Sequence, residues 1–126
     1  MATSYATFGQ RVDQVKSAPY TVAATDSGTV INVRGTTTVT LPAATGLSGL
    51  SVTIRNAGPN NGDAIITVTP NAADGVSGNN YVATVAKGPQ NLVGNVGDEI
   101  TLVSSGAAGV AGWYVTNVVG NWTRLP

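Results

Sequence analysis

The sequence predicts an all-β protein: an antiparallel, jelly-roll-like β-sandwich of about eight short strands, with an N-terminal arm. Three observations predict it. Apolar residues alternate with hydroxyl-bearing ones in short runs, as Val39 and Leu41 do with Thr38 and Thr40; this is the period of a half-buried strand. Gly, Pro, Asn and Asp recur between the runs at regular spacing, as turns between strands require. No convincing helical pattern lies between the strands, which argues against βαβ units.

The chain in order supports this reading. Residues 1–18 lack strand alternation. Phe8, Val12 and Val15 sit at i, i+4 and i+7, one face of a short helix that would be marginal alone. Such a segment is either a solvated tail or an arm that orders against a partner. Tyr5, Phe8, Val12 and Val15 favour the arm, because a solvated tail has no use for them. Pro19 closes it. Tyr20–Ala24 is the first strand and Asp26-Ser27-Gly28 a turn. Thr29–Val33 is the second strand, and Arg34-Gly35-Thr36 turns into the Val39 and Leu41 strand. Pro42 stops that strand, having no N–H for the ladder. Gly46 and Gly49 then turn the chain into a run where Leu50, Val52 and Ile54 alternate with Ser51, Thr53 and Arg55.

Residues 57–63 read as a loop, Ala64–Thr69 as a strand ended by Pro70, and residues 71–80 as a second loop. Tyr81–Val85, Gln90–Val93, Glu99–Val103 and Val110–Val115 complete the strands, and residues 118–126 read as a tail. The sandwich domain is thus expected over residues 19–117. Its expected core is Val22, Val30, Val39, Leu41, Leu50, Val52, Ile54, Ile66, Val68, Val85, Ile100, Leu102, Trp113 and Val115.

At 126 residues the chain is sized for one domain. That length buries roughly two-thirds of the unfolded surface, enough for a core without staples. Six basic and six acidic residues cancel, and charged residues make up 10% of the chain, against about a quarter in ordinary globular domains. The surface is therefore covered by Thr, Ser, Asn and Gly, and suits a protein packed against other protein. The basic residues are dispersed, which argues against nucleic acid. No run reaches the length of a membrane span, and the N-terminus lacks a secretion pattern.

The chemistry open to the chain is narrow. It has no Cys and no His, so no disulfide framework, and neither the usual neutral-pH base nor the commonest zinc ligand is present. The carboxylates are Asp13, Asp26, Asp63, Asp74, Asp98 and Glu99, and their spacing proposes no glycosidase pair. Asp74 before Gly75 and Asp98 after Gly97 read as turn formers. A Ser nucleophile would have only Lys16 or Lys87 as base, with no motif around either. Asn60, Asn61, Asp63 and Asp74 could offer oxygen to calcium, but the full calcium-loop pattern is absent. The expectation is no enzyme, no cofactor and no metal. Among the aromatics, Tyr81, Tyr114 and Trp122 could form a sugar-stacking platform, or they could anchor a subunit contact or cap the core; the last two are the ordinary roles of such residues.

Tyr20-Thr21-Val22-Ala23-Ala24-Thr25-Asp26-Ser27-Gly28-Thr29-Val30-Ile31, then Val39–Ala44, then Val52–Gly58, followed by Ile66–Pro70, Asp74–Gly78, Gly97–Val103 and Gly112–Val115, resembles a β-domain common among tailed-phage virion proteins. The resemblance covers roughly residues 20–117, and it rests on the order of motifs that are each strand-and-turn grammar. It brings no catalytic residues. It implies a head-decoration (cement) protein, a homotrimer bound to the major capsid protein on the outer surface of the virion at a threefold or quasi-threefold position. Candidate capsid or subunit contacts are Tyr5, Phe8, Val12, Val15, Tyr81, Tyr114 and Trp122. The alternative is a carbohydrate- or receptor-binding tip domain of a tail fibre or spike, with a glycan as partner.

Overall fold

The computed structural model describes residues 13–60, 62, 64–78, 86–92 and 94–124. Within them run eleven strands: β1 Asp13–Lys16, β2 Tyr20–Thr21, β3 Thr29–Val33, β4 Thr37–Thr40, β5 Ser51–Asn56, β6 Ile66–Thr69, β7 Asp74–Ser77, β8 Pro89–Asn91, β9 Glu99–Ser104, β10 Gly109–Val119 and β11 Thr123–Arg124. A single 3-10 turn covers Ala24–Asp26. The protein is all-β with two sheets. One has six strands in the order β1-β3-β5-β9-β10-β7, the other five in the order β11-β8-β6-β4-β2.

Successive strands alternate between the two sheets from β1 to β9. Over β1 to β6, a strand that returns to its sheet after one visit to the other lies parallel to the strand it left. The ladders β1–β3, β3–β5, β2–β4 and β4–β6 are accordingly parallel, and β10–β7 is parallel too. Here a strand of the opposite sheet serves as the crossover that parallel pairing needs. The expectation of an antiparallel arrangement is corrected by these registers. Antiparallel ladders are confined to β5–β9, β9–β10, β6–β8 and β8–β11. Alternation of side chains could not have revealed this, because the period of two is the same in both kinds of ladder.

The register builds the core row by row. Ile31 stands beside Ile54, and Ile54 beside Ile100. Val39 stands beside Val68 in the other sheet. These residues, with Val22, Val33, Leu41, Val52, Ile66, Leu102, Trp113 and Val115, form one apolar cluster shared by both sheets. Every expected core residue within the described residues is buried; Val85 lies outside them. Ile31, Val33, Val76 and Trp122 join the core as well. β3 is buried along its full length. Val30 is buried but lies outside the shared cluster.

Three segments differ from expectation. Residues 13–16 form an edge strand, not a helix, so the described end of the arm belongs to the six-stranded sheet. Tyr5, Phe8 and Val12 lie outside the described residues. The supposed C-terminal tail is built into both sheets, since β10 runs on to Val119 and β11 pairs with β8. Asp74–Ser77, expected as loop, is the strand β7. The expected strand Tyr81–Val85 lies outside the described residues.

Candidate interaction surfaces

The first arrangement that ties chain segments together is centred on Asp26. It closes the 3-10 turn between β2 and β3, and its carboxylate is buried. One oxygen accepts a hydrogen bond from the Tyr20 hydroxyl at 2.5 Å and from the Ala23 amide at 2.8 Å; the other accepts from Gln14 Nε2 at 2.6 Å. Lys16 Nζ sits 4.1 Å from the centre of the Tyr20 ring, a cation–π contact. Asp26 thus holds β1 and β2 to the turn that opens β3. Burial acts to raise the Asp26 pKa. The hydrogen bonds from Tyr20, Ala23 and Gln14, with the Lys16 charge, outweigh it and hold the carboxyl below its ordinary value. The hydrogen bond it donates to Asp26, then burial, then the Asp26 charge push the Tyr20 phenol up to about 12.

A second polar arrangement closes the opposite end of the strands. Asn56 follows Val52 and Ile54 in phase, so its amide points inward at the end of β5 and is fully buried. Asn56 Nδ2 donates to Asn91 Oδ1 at 2.8 Å; Asn91 Nδ2 donates to the Asn121 carbonyl at 2.7 Å and to Asp98 Oδ2 at 3.1 Å. Asp98 Oδ2 also accepts from the Asn95 amide at 2.9 Å. These groups satisfy one another in the interior, as buried polar atoms must. Asp74 is likewise structural: Oδ2 accepts from the Ala44 amide at 2.8 Å. Asp74 and Asp98 close turns as expected, their amides donating to the Asn71 and Asn95 carbonyls, and both are buried as well.

The outer face of the six-stranded sheet is buried at its middle, at Val30, Asn32 and Thr53, and exposed toward β1 and β10. It carries Asp13 and Val15 on β1, Asn32 on β3, Thr53 and Arg55 on β5, Glu99, Thr101 and Val103 on β9, and Tyr114 and Val119 on β10, in register across the ladders. Arg55 gathers its charges: Nε lies 3.1 Å from Glu99 Oε2, and a terminal guanidinium nitrogen 3.9 Å from Asp13 Oδ2 and 3.3 Å from Asn32 Oδ1. Thr53 and Thr101 share a 2.8 Å hydroxyl hydrogen bond. Exposed ion pairs of this kind add little stability. Arg55 is neutralised where it stands, with one acidic group in excess. Around it, Val15 is 64% and Tyr114 44% exposed.

The expected contact residues separate on this fold. Val15 and Tyr114 share the outer face of one sheet, on β1 and β10, with three strands between them. Val15 stands in the Glu99 row and Tyr114 in the Val103 row, so about 4.8 Å per strand and about 3.3 Å per residue put them roughly 23 Å apart. Trp122 is corrected from a surface anchor to a core residue. It is buried in the shared cluster, and its Nε1 donates to the Val119 carbonyl at 3.2 Å. The two-residue strand after it is too short to show a period, which is why the sequence does not reveal this. Tyr81 lies outside the described residues. The inward phase of Asn56 was available from the alternation, and it would have located the buried amide network.

A shallow hollow of about 320 Å³ lies between Ala24, Ser27 and the Gly46–Leu50 turn. Its lining contains no charged or aromatic side chain. Among the described residues no group of three or more His, Cys, Asp or Glu lies together to hold a metal ion. Among the same residues no helix is long and apolar enough to cross a membrane. Neither a protein-family model nor a curated protein matches the chain.

Proposed function

We propose that this chain is a structural virion protein, a trimeric head-decoration protein that binds the outside of a phage capsid and stabilises it. The observation that carries the reading is the outer face of the six-stranded sheet. It exposes Val15, Tyr114 and Val119, and its charged residues are few, with Arg55 lying between Glu99 and Asp13. Such a face suits contact by shape and apolar burial, with little steering by charge. The resemblance of the strand-and-turn order to phage virion β-domains supports the same reading. The two layers would act as a rigid sandwich, and many copies binding together would stabilise a shell by mass action. Asp26, Asp74 and Asp98 serve as internal braces, consistent with a protein that performs no reaction.

The test is binding of the purified chain to heads that lack it, followed by heating of the decorated and bare heads. Sedimentation with the heads and a raised disruption temperature are expected. A chain that stays in the supernatant at micromolar concentration would sink the reading. The alternative, a glycan-binding tip domain, finds less support: Trp122 packs inside, leaving Tyr114 as the one exposed ring of the three candidates among the described residues.

A further inference from the structure

We infer that β1 is exchanged between copies, the β1 of one chain pairing with β3 of the next. The inference rests on the reading above in one respect, that the chain assembles with itself.

Four observations lead to it. β1 supplies no residue to the core cluster, so the body stays closed when the strand leaves. Everything that holds β1 is a socket on other elements. These are the β3 edge, the Asp26 carboxylate that accepts from Gln14, the Arg55 group beside Asp13, and the Arg34 amide, which donates to the Lys16 carbonyl at 2.9 Å. A β1 from a neighbour fills these sockets equally well.

The connector Ser17–Pro19 is short and exposed, and it must carry the chain from one sheet to the other within three residues. Short hinge connectors are the setting in which strand exchange is found. Finally, Val15 is the most exposed of the large apolar residues described. Lys16 and Tyr20 can be separated by at most about 14 Å when the connector is stretched. An exchanged β1 therefore draws the neighbouring copy close against its own sheet edge, where Val15 would lie at the junction and be covered.

The chain has no cysteine, so a disulfide can report the pairing cleanly. Val15 and Asn32 are register partners on the β1–β3 ladder. The double variant Val15→Cys/Asn32→Cys is oxidised and run on a denaturing gel without reductant, beside each single variant. The mass of the unaltered chain is measured separately by light scattering. Expected are a multi-copy mass and covalently linked multimers well above those of the single variants. A multi-copy mass with the disulfide closed inside each monomer overturns the exchange and leaves the assembly standing. A single-copy mass overturns both.

A second measurement needs no substitution. Isotope-labelled and unlabelled chains are mixed unfolded and refolded, and NMR contacts between Gln14 and Ile31, another partner pair, are sought across chains. Their presence supports exchange, and their confinement to single chains overturns it.

Discussion

Asp26 accepts from Gln14 on β1, Tyr20 on β2 and the Ala23 amide at the turn, so its loss is felt on all three segments. Asn at this position keeps one acceptor oxygen and turns an NH2 toward groups that donate. Asp26→Asn should cost about 1–3 kcal/mol, read by urea denaturation, and should loosen β1 first. The acid side follows from the lowered pKa. Its contribution is complete above the unfolded value near 4 and is lost as pH falls through the lower folded value. Tyr20 acts at the alkaline end. Its folded pKa is raised, so its contribution is complete below about pH 10 and disappears as pH climbs toward about 12. Tyr20→Phe should flatten that alkaline limb of the stability profile; an unchanged limb would remove the Tyr20–Asp26 bond from the account. At the other end of the strands, Gly120 has φ +86°, and a Cβ there would run into the Asp98 carboxylate. Gly120→Ala should therefore lose more than about 1 kcal/mol. Trp122→Ala should cost about 3–5 kcal/mol in chemical denaturation, as removal of a core ring does. Tyr114→Ala should change the isolated fold by less than about 0.5 kcal/mol.

At the scale of elements, the strands themselves were largely legible and their neighbours were not. Thr29–Val33 and the runs around Val52, Val68 and Leu102 announce themselves by alternation, because one face must be apolar to be buried. Which strand lies alongside is a different matter. Ile31 meets Ile54 in parallel and Ile54 meets Ile100 in antiparallel fashion, yet all three runs look alike in sequence. β7 was hidden for another reason. Asp74, Gly75 and Ser77 are turn-forming types, and the segment is a strand through its parallel ladder with β10, which no local pattern reports. The helix expected over Phe8, Val12 and Val15 drew on a pattern whose last member sits on β1, held by ladder bonds that no local propensity reports. The outer face of the six-stranded sheet was not foreseen as a surface, because it exists only once five registers align. Deleting residues 1–18 should leave a folded body, as β1 contributes nothing to the core. Circular dichroism of the truncated chain checks this, and loss of the β signature would show β1 to be indispensable.

The whole molecule is nearly devoid of long-range electrostatics: 10% charged residues, net charge zero, and Arg55 neutralised where it stands. An assembly built from such surfaces should hold its mass, and its grip on heads, between low and high salt. Dissociation on adding salt would mean that charge pairs carry the contact. The winding of the chain between layers has a further consequence for how the protein is made. Among the described residues β7 pairs with β10 alone, and β10 joins the sheet by pairing with β9, which lies against β5. A nascent chain halted after Ser104 would leave β7 stranded and the growing layer open along one side. Ribosomal products short of β10 should therefore be digested by proteases that spare the finished chain, which reserves assembly for subunits synthesised to the end.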